Sequence, residues 1–172
     1  KPWRAKHMAG YLDHLLVILP FEPPYFTVHG LATDFVGHPV PELLDLATPQ
    51  LYLEQSPVRD GRGFEDTGQA VRRVIIAPGS RRGEVSKLLP DFIAVAKRLY
   101  ADDSSLHFVV PTVETVEPMV RAMMSQAGLP HEVIVGQALR WSAFKAADLA
   151  LVASGTIALE LGLVGTPTVV AY

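Results

Sequence analysis

Solid apolar runs alternate with helical stripes along this chain. Leu15-Leu16-Val17-Ile18-Leu19 predicts a buried strand, and a short helix near Tyr25 to His29 and a strand around Thr33 to Val36 follow it. From residue 73 onward the alternation is regular: strand 73–77, helix 84–100, strand 106–110, helix 114–126, strand 132–135, helix 139–146, strand 148–152, helix 156–164 and strand 167–171. In the first of these helices Leu88, Phe92, Ala96 and Leu99 fall about a turn apart and form the expected core stripe. Pro90 either kinks that helix or opens a second segment, since proline lacks the donor that an interior position needs. Strands separated by helix-length segments imply right-handed crossovers, so the expected fold is α/β with a doubly wound parallel sheet.

Residues 47–70 break the pattern. Pro49, Pro57, Gly61, Gly63 and Gly68 stand there among charges, which predicts a linker or mobile loop between two domains. The expected organisation is thus a first domain ending at residue 46 and a second running from 71 to 172.

Composition narrows the choice of function. Of 172 residues 49% are hydrophobic, enough for parallel strands covered on both faces. A net charge of −3 lacks the basic face that nucleic acid calls for. Cysteine is absent, which excludes a disulfide scaffold and any thiolate metal site and is compatible with a reducing compartment. The longest apolar run, Leu15 to Phe21, is too short to span a bilayer. The start at Lys1 and the strand-like end Thr168 to Tyr172 are those expected of an excerpt from a longer protein.

Two strand-to-helix turns carry the candidate chemistry, because ligands of such sheets bind at the carboxyl ends of the strands. In the first, Pro78-Gly79-Ser80-Arg81-Arg82-Gly83-Glu84, Gly79 permits close backbone approach and Ser80 can cap free amides. An arginine there adds a planar fork that matches phosphate oxygens in pairs. The same residues also suit a capped helix with two solvated arginines. The P-loop pattern is missing. In the second turn, Ser154-Gly155-Thr156 precedes Ile157-Ala158-Leu159-Glu160, with Thr156 the expected N-cap and Glu160 placed in the first turn of the helix. A carboxylate there can accept from both hydroxyls of a ribose, or it can merely complement the helix dipole. Phosphates on the turns with ribose on Glu160 describe a nucleoside diphosphate.

The sequence resembles the lipid-A-disaccharide synthases, glycosyltransferases with two Rossmann-like domains. The resemblance rests on Leu19-Pro20-Phe21-Glu22-Pro23, Phe35-Val36-Gly37-His38-Pro39, Pro78-Gly79-Ser80-Arg81 with Glu84 and Leu88-Leu89-Pro90-Asp91-Phe92, Ala147-Asp148 through Ser154-Gly155-Thr156 to Glu160, and Pro167 to Tyr172. Residues 47–70 do not match.

The resemblance implies transfer of 2,3-diacylglucosamine from UDP to the 6-hydroxyl of 2,3-diacylglucosamine 1-phosphate, with inversion and release of UDP. Residues 1–46 would end the acceptor-side domain and 71–172 would form most of the UDP-sugar domain. Gly79, Ser80, Arg81, Ser154, Gly155, Thr156 and Glu160 would bind the UDP-sugar, and Arg81 would stabilise the leaving diphosphate. The loop Gly136-Gln137-Ala138-Leu139, which also ends a strand, is the choice for the uracil. The general base would be a carboxylate before Lys1, so the isolated 172 residues would hold UDP without turnover. No cofactor is expected, because Asp102-Asp103 are adjacent and form no Asp-x-Asp pair for a divalent ion. Acylated substrates imply peripheral work at the inner face of the cytoplasmic membrane through segments outside this chain, and cut edges allow a homo-oligomer. A UDP-N-acetylglucosamine epimerase or a murein-precursor transferase would share the Ser-Gly-Thr and Glu160 logic.

Other residues tempt less. The six histidines lack metal-ligand spacing. His38 suits either a substrate role or a turn held by backbone bonds. Trp141 and Phe144, three apart on one helix, are expected in the core.

Overall fold

The computed structural model describes residues 2–38, 49–56 and 71–172. The chain divides into two compact units, Lys1–Leu43 and Leu44–Tyr172.

In the first unit, helix α1 (Pro2–Met8) precedes strand β1 (His14–Val17), helix α2 (Pro23–Thr27) and strand β2 (Ala32–Phe35). The strands pair in parallel, with His14 opposite Ala32 and Val17 opposite Phe35. The carboxylate of Glu22 accepts the Leu19 amide at 3.0 Å and so closes the turn that leads into α2. The apolar pattern foretold both strands and α2; α1 was not foreseen.

The second unit opens with helix α3 (Pro49–Gln55), which lies inside the segment expected to be a linker. That expectation is corrected for residues 49–56: Tyr52 is buried, and α3 packs on a helix of the sheet domain. The rest of the segment, 57–70, lies outside the described residues, as do Pro39 and the proposed boundary at 46. Then come β3 (Arg72–Ala77), α4 (Arg82–Asp102), β4 (Leu106–Thr112), α5 (Glu117–Ala127), β5 (His131–Val135), α6 (Gln137–Ala146), β6 (Leu149–Ala153), α7 (Thr156–Val164) and β7 (Thr168–Ala171). The five strands pair in parallel in the order β5-β4-β3-β6-β7, as a doubly wound sheet requires.

Strand alternation divides the core between the sheet's two faces. Val74, Ile76, Phe108, Val110 and Val133 meet α4 and α5 in one apolar cluster. The stripe that α4 buries is Val85, Leu89, Phe92 and Ala96, so Phe92 and Ala96 of the predicted stripe are in the core, whereas Leu88 is half-buried and Leu99 exposed. The helix runs continuously through Pro90, which is exposed, so no second segment opens there. Trp141 and Phe144 are buried edge to face, ring centroids 5.9 Å apart, as core residues.

A buried polar network ties α3 to the sheet. Glu132 on β5 accepts hydrogen bonds from the hydroxyls of Tyr52 and Ser56, and His107 Nε2 lies 3.5 Å from the same carboxylate oxygen. The Arg73 guanidinium stacks over the Tyr52 ring, 5.9 Å from its centroid. Burial alone would raise the Glu132 carboxyl, but contacts from His107, Tyr52 and Ser56 outweigh it and hold the group below the ordinary carboxylate range. Burial, with the carboxylate beside it, pushes the Tyr52 phenol well above its ordinary value.

A lowered carboxyl value in the folded state makes this network's contribution fully present above the ordinary carboxylate range and lost as pH falls through the lowered value. Glu132→Gln is therefore expected to destabilise by about 1.5–3 kcal/mol near neutrality, and by progressively less on acidification, in urea unfolding. A penalty independent of pH contradicts the ionised network.

Candidate functional site

The sheet reverses direction between β3 and β6. From β3 the chain winds outward through β4 to β5, then returns to the other side of β3 with β6 and continues to β7. Such a switch point opens a crevice at the carboxyl ends of its two central strands, because their connections leave in opposite directions. The register pairs Val74 with Leu149 and Ala77 with Val152. At the amino ends the Asp148 carboxylate accepts the Arg73 amide at 2.7 Å and the Asp148 amide donates to the Arg73 carbonyl at 2.9 Å. Hence the turns after Ala77 and after Ala153 leave adjacent, hydrogen-bonded strands, and Gly79, Ser80 and Arg81 share one rim with Ser154, Gly155 and Thr156.

The first turn is built around Glu84. Gly79 has φ +116°, a backbone conformation that disfavours a Cβ. A Cβ built there would lie 2.5 Å from Glu84 Oε2. That oxygen accepts the amides of Ser80 at 3.3 Å and Arg81 at 3.4 Å, while Arg81 Nη1 donates to Glu84 Oε1 at 2.7 Å. Arg81, not Ser80, is the N-cap residue. The Arg81 hydrogen bond is the chief reason the Glu84 carboxyl sits below its ordinary value. The turn thus already gathers two amides and a guanidinium around an anion, and that anion is the chain's own carboxylate. Sequence reasoning counted Glu84 only as part of a motif; its position three residues after Arg81 is the capping-box spacing that marks it.

The second turn is simpler. Gly155 is the N-cap and Thr156 the first helical residue, a correction of one position to the expected cap. Ser154, Gly155 and Thr156 are exposed on the rim, and the Ser154 amide is bonded to the Ala171 carbonyl of β7 at 2.9 Å. Glu160 is the fifth residue of α7 and not in its first turn, so it does not complement the free amides there. Its carboxylate is instead held by Arg140 of α6, whose Nη2 lies 3.4 Å from both oxygens. Arg140 was not anticipated, because its link to Glu160 spans 20 residues and depends on how α6 packs beside α7.

Arg140 also lines a cavity of about 350 Å³ at the carboxyl ends of β4 and β5, with Thr112, Val113, Val135, Gly136 and Gln137. Gly136 and Gln137 of the predicted uracil loop therefore stand in this wall; Ala138 is exposed and Leu139 faces a different cavity, along β5. Gly136 takes φ +107° to turn the chain from β5 into α6. His38, half-buried, belongs to the first unit.

A family model described as lipid-A-disaccharide synthetase matches residues 1–172. The chain belongs to the lipid-A-disaccharide synthase family. It is similar over its whole length to lipid-A-disaccharide synthases of Rhodospirillum centenum, at 43% identity, Paramagnetospirillum magneticum, at 41%, and Ruegeria pomeroyi, at 40%. It spans 41%, 42% and 43% of the length of those synthases respectively, so the family's Rossmann-like architecture is represented here in part. Among the described residues no helix is long and apolar enough to cross a membrane.

The close approach of Gly79 to Glu84 makes a specific demand. Gly79→Ala is expected to lose about 1–3 kcal/mol from backbone strain, with a further penalty from the collision, and so to lower the melting temperature. An unchanged melting temperature contradicts the geometry of this turn.

Proposed function

We propose that the complete protein carrying this chain transfers 2,3-diacylglucosamine from UDP to 2,3-diacylglucosamine 1-phosphate, forming a β(1→6) disaccharide and releasing UDP. Residues 1–46 close the acceptor-side domain, and 71–172 supply most of the UDP-sugar domain. Family membership supports the substrate class. The observation that carries the reading is the placement of the Gly79 and Gly155 turns after adjacent strands at the switch point.

The diphosphate lies across both turns. It takes the Ser80 and Arg81 amides by displacing the Glu84 carboxylate, and the arginine it frees turns to the phosphate oxygens. Glu160 accepts the ribose hydroxyls. In the reaction the acceptor 6-hydroxyl attacks the anomeric carbon from the face opposite the diphosphate, the carbon–oxygen bond to UDP breaks, and configuration inverts. The hydroxyl proton passes to a carboxylate base outside these 172 residues. Arg81 and the helix-start amides neutralise the charge growing on the departing diphosphate, a role that needs no metal cofactor. Without the base the isolated chain binds UDP but does not turn over. The acylated substrates place the complete protein at the inner face of the cytoplasmic membrane, held there by segments outside this chain.

Two outcomes are expected in the complete protein. Arg81→Ala lowers kcat/KM by about 100-fold or more, as loss of a donor to developing charge does; a wild-type value removes Arg81 from the chemistry. Glu160→Gln weakens UDP by about 1.5–3 kcal/mol in calorimetry, and unchanged affinity removes the ribose contact. The substrate class is tested by offering acylated and non-acylated UDP-sugars. Turnover confined to the acylated donor and acceptor supports the proposal, whereas epimerisation of UDP-N-acetylglucosamine or transfer to a murein precursor replaces it.

A further inference from the structure

We infer that the cavity along strand β5 is a second binding site, one for an aliphatic amine that carries more than one ammonium group. The inference stands apart from the nucleotide reading above. It starts from the charge of Glu132, whose side chain is only 10% exposed and whose contacts hold the carboxyl below the ordinary range, ionised near neutrality. Its hydrogen bonds come from the hydroxyls of Tyr52 and Ser56, which bring no charge, and the ionisable partner in reach is the His107 ring. A carboxylate so far withdrawn from water gains from a cation beside it.

One of its oxygens is open to such a cation. Oε1 takes both hydroxyls and the approach of His107 at 3.5 Å, whereas Oε2 takes no bond among the described residues. Nor is Oε2 one of the described side-chain atoms sealed in the interior without a partner. It therefore faces open space, and Glu132 lines a cavity of about 570 Å³ together with Tyr52 and Ser56 at α3, Glu117 and Arg121 of α5, and its neighbour His131. That volume lies in the range of small-molecule sites.

The rest of the polar wall offers acceptors. Glu117 engages Arg121 Nε through Oε1 at 2.7 Å, which leaves Oε2. His131 Nδ1 lies 2.7 Å from the Leu129 carbonyl, so that nitrogen holds the proton and Nε2 of the neutral ring is an acceptor. The arginine of the wall is committed to Glu117 and, through Nη2, to the Val133 carbonyl at 3.1 Å. With His131 neutral, two carboxylates face one guanidinium, and one negative charge is in excess. Acceptors gathered around one point would suit a metal ion, but among the described residues no such group of three forms. Acceptors spread along one cavity suit donors spread along one chain. Each ammonium brings three N–H donors and a full charge, and the methylenes between them meet the apolar wall at Val135 and Leu139.

The test is calorimetry of the complete protein with 1,4-diaminobutane and with spermidine, at about physiological salt to screen loose surface attraction. The uncharged 1,4-butanediol is the control. A saturable one-to-one isotherm with an amine and none with the diol is expected. Glu132→Gln and Glu117→Gln should each weaken the amine by about tenfold or more, the size of effect that a hydrogen bond to a charged group commands. Where Glu132→Gln does not fold, Gln55→Lys takes its place, because an ammonium fixed in the same wall excludes the ligand by a similar factor. Glu160→Gln, outside this cavity, should leave the amine affinity unchanged. Absence of a saturable isotherm, equal binding of the diol, or full amine affinity in either wall variant overturns the inference. Weakening of the same size by Glu160→Gln places the amine elsewhere and likewise overturns it, and none of these outcomes touches the UDP reading.

Discussion

The parallel pairing of β3 with β6 is the constraint on which the site depends. A difference of more than seventy residues in sequence is erased by one register, Ala77 beside Val152, locked at its other end by the reciprocal Arg73 and Asp148 bonds. With neighbouring strands about 4.8 Å apart, the turns that follow them have no choice but to share a rim. The two turns therefore stand side by side. Together they present the first amides of α4 and α7 from two sides of one crevice.

The rim is balanced by the chain's own carboxylates. Glu84 satisfies the amides and guanidinium of the first turn, so those donors are oriented in the absence of a nucleotide. Exchanging an exposed carboxylate for a more highly charged phosphate conserves the electrostatic pattern while adding acceptor oxygens. Glu160 meets the opposite need. It is withdrawn from solvent and held by Arg140. One carboxylate is bonded within its own turn and the other across two helices.

Much of this was legible in the sequence because parallel sheets write themselves in solid apolar runs. Val74-Ile75-Ile76 and Leu149-Ala150-Leu151-Val152 declare strands, and the glycine and hydroxyl residues after them declare turns with amides to offer. The strand order was implied only by the general handedness of crossovers, and the register that aligns Ala77 with Val152 had no local signal. The errors share a cause. Helix α3 hides among prolines and charges because its stability comes from Tyr52 and Ser56 reaching Glu132, some eighty residues away. The α4 stripe is right at Phe92 and Ala96 but shifted at its ends, because Leu88 and Leu89 in succession offer two apolar faces and only packing on the sheet chooses between them. Arg140 was missed for the same reason: a cation on one helix becomes part of a site only when its neighbour brings an acid to it.

The central claim is that one diphosphate lies across both turns, in the place of the Glu84 carboxylate. A crystal structure of the complete protein with UDP tests it most directly. The account predicts phosphate density against the amides of Ser80, Arg81 and Thr156, with Glu84 displaced. Density that avoids either turn, or a nucleotide bound while Glu84 keeps its bonds to Ser80 and Arg81, would contradict it.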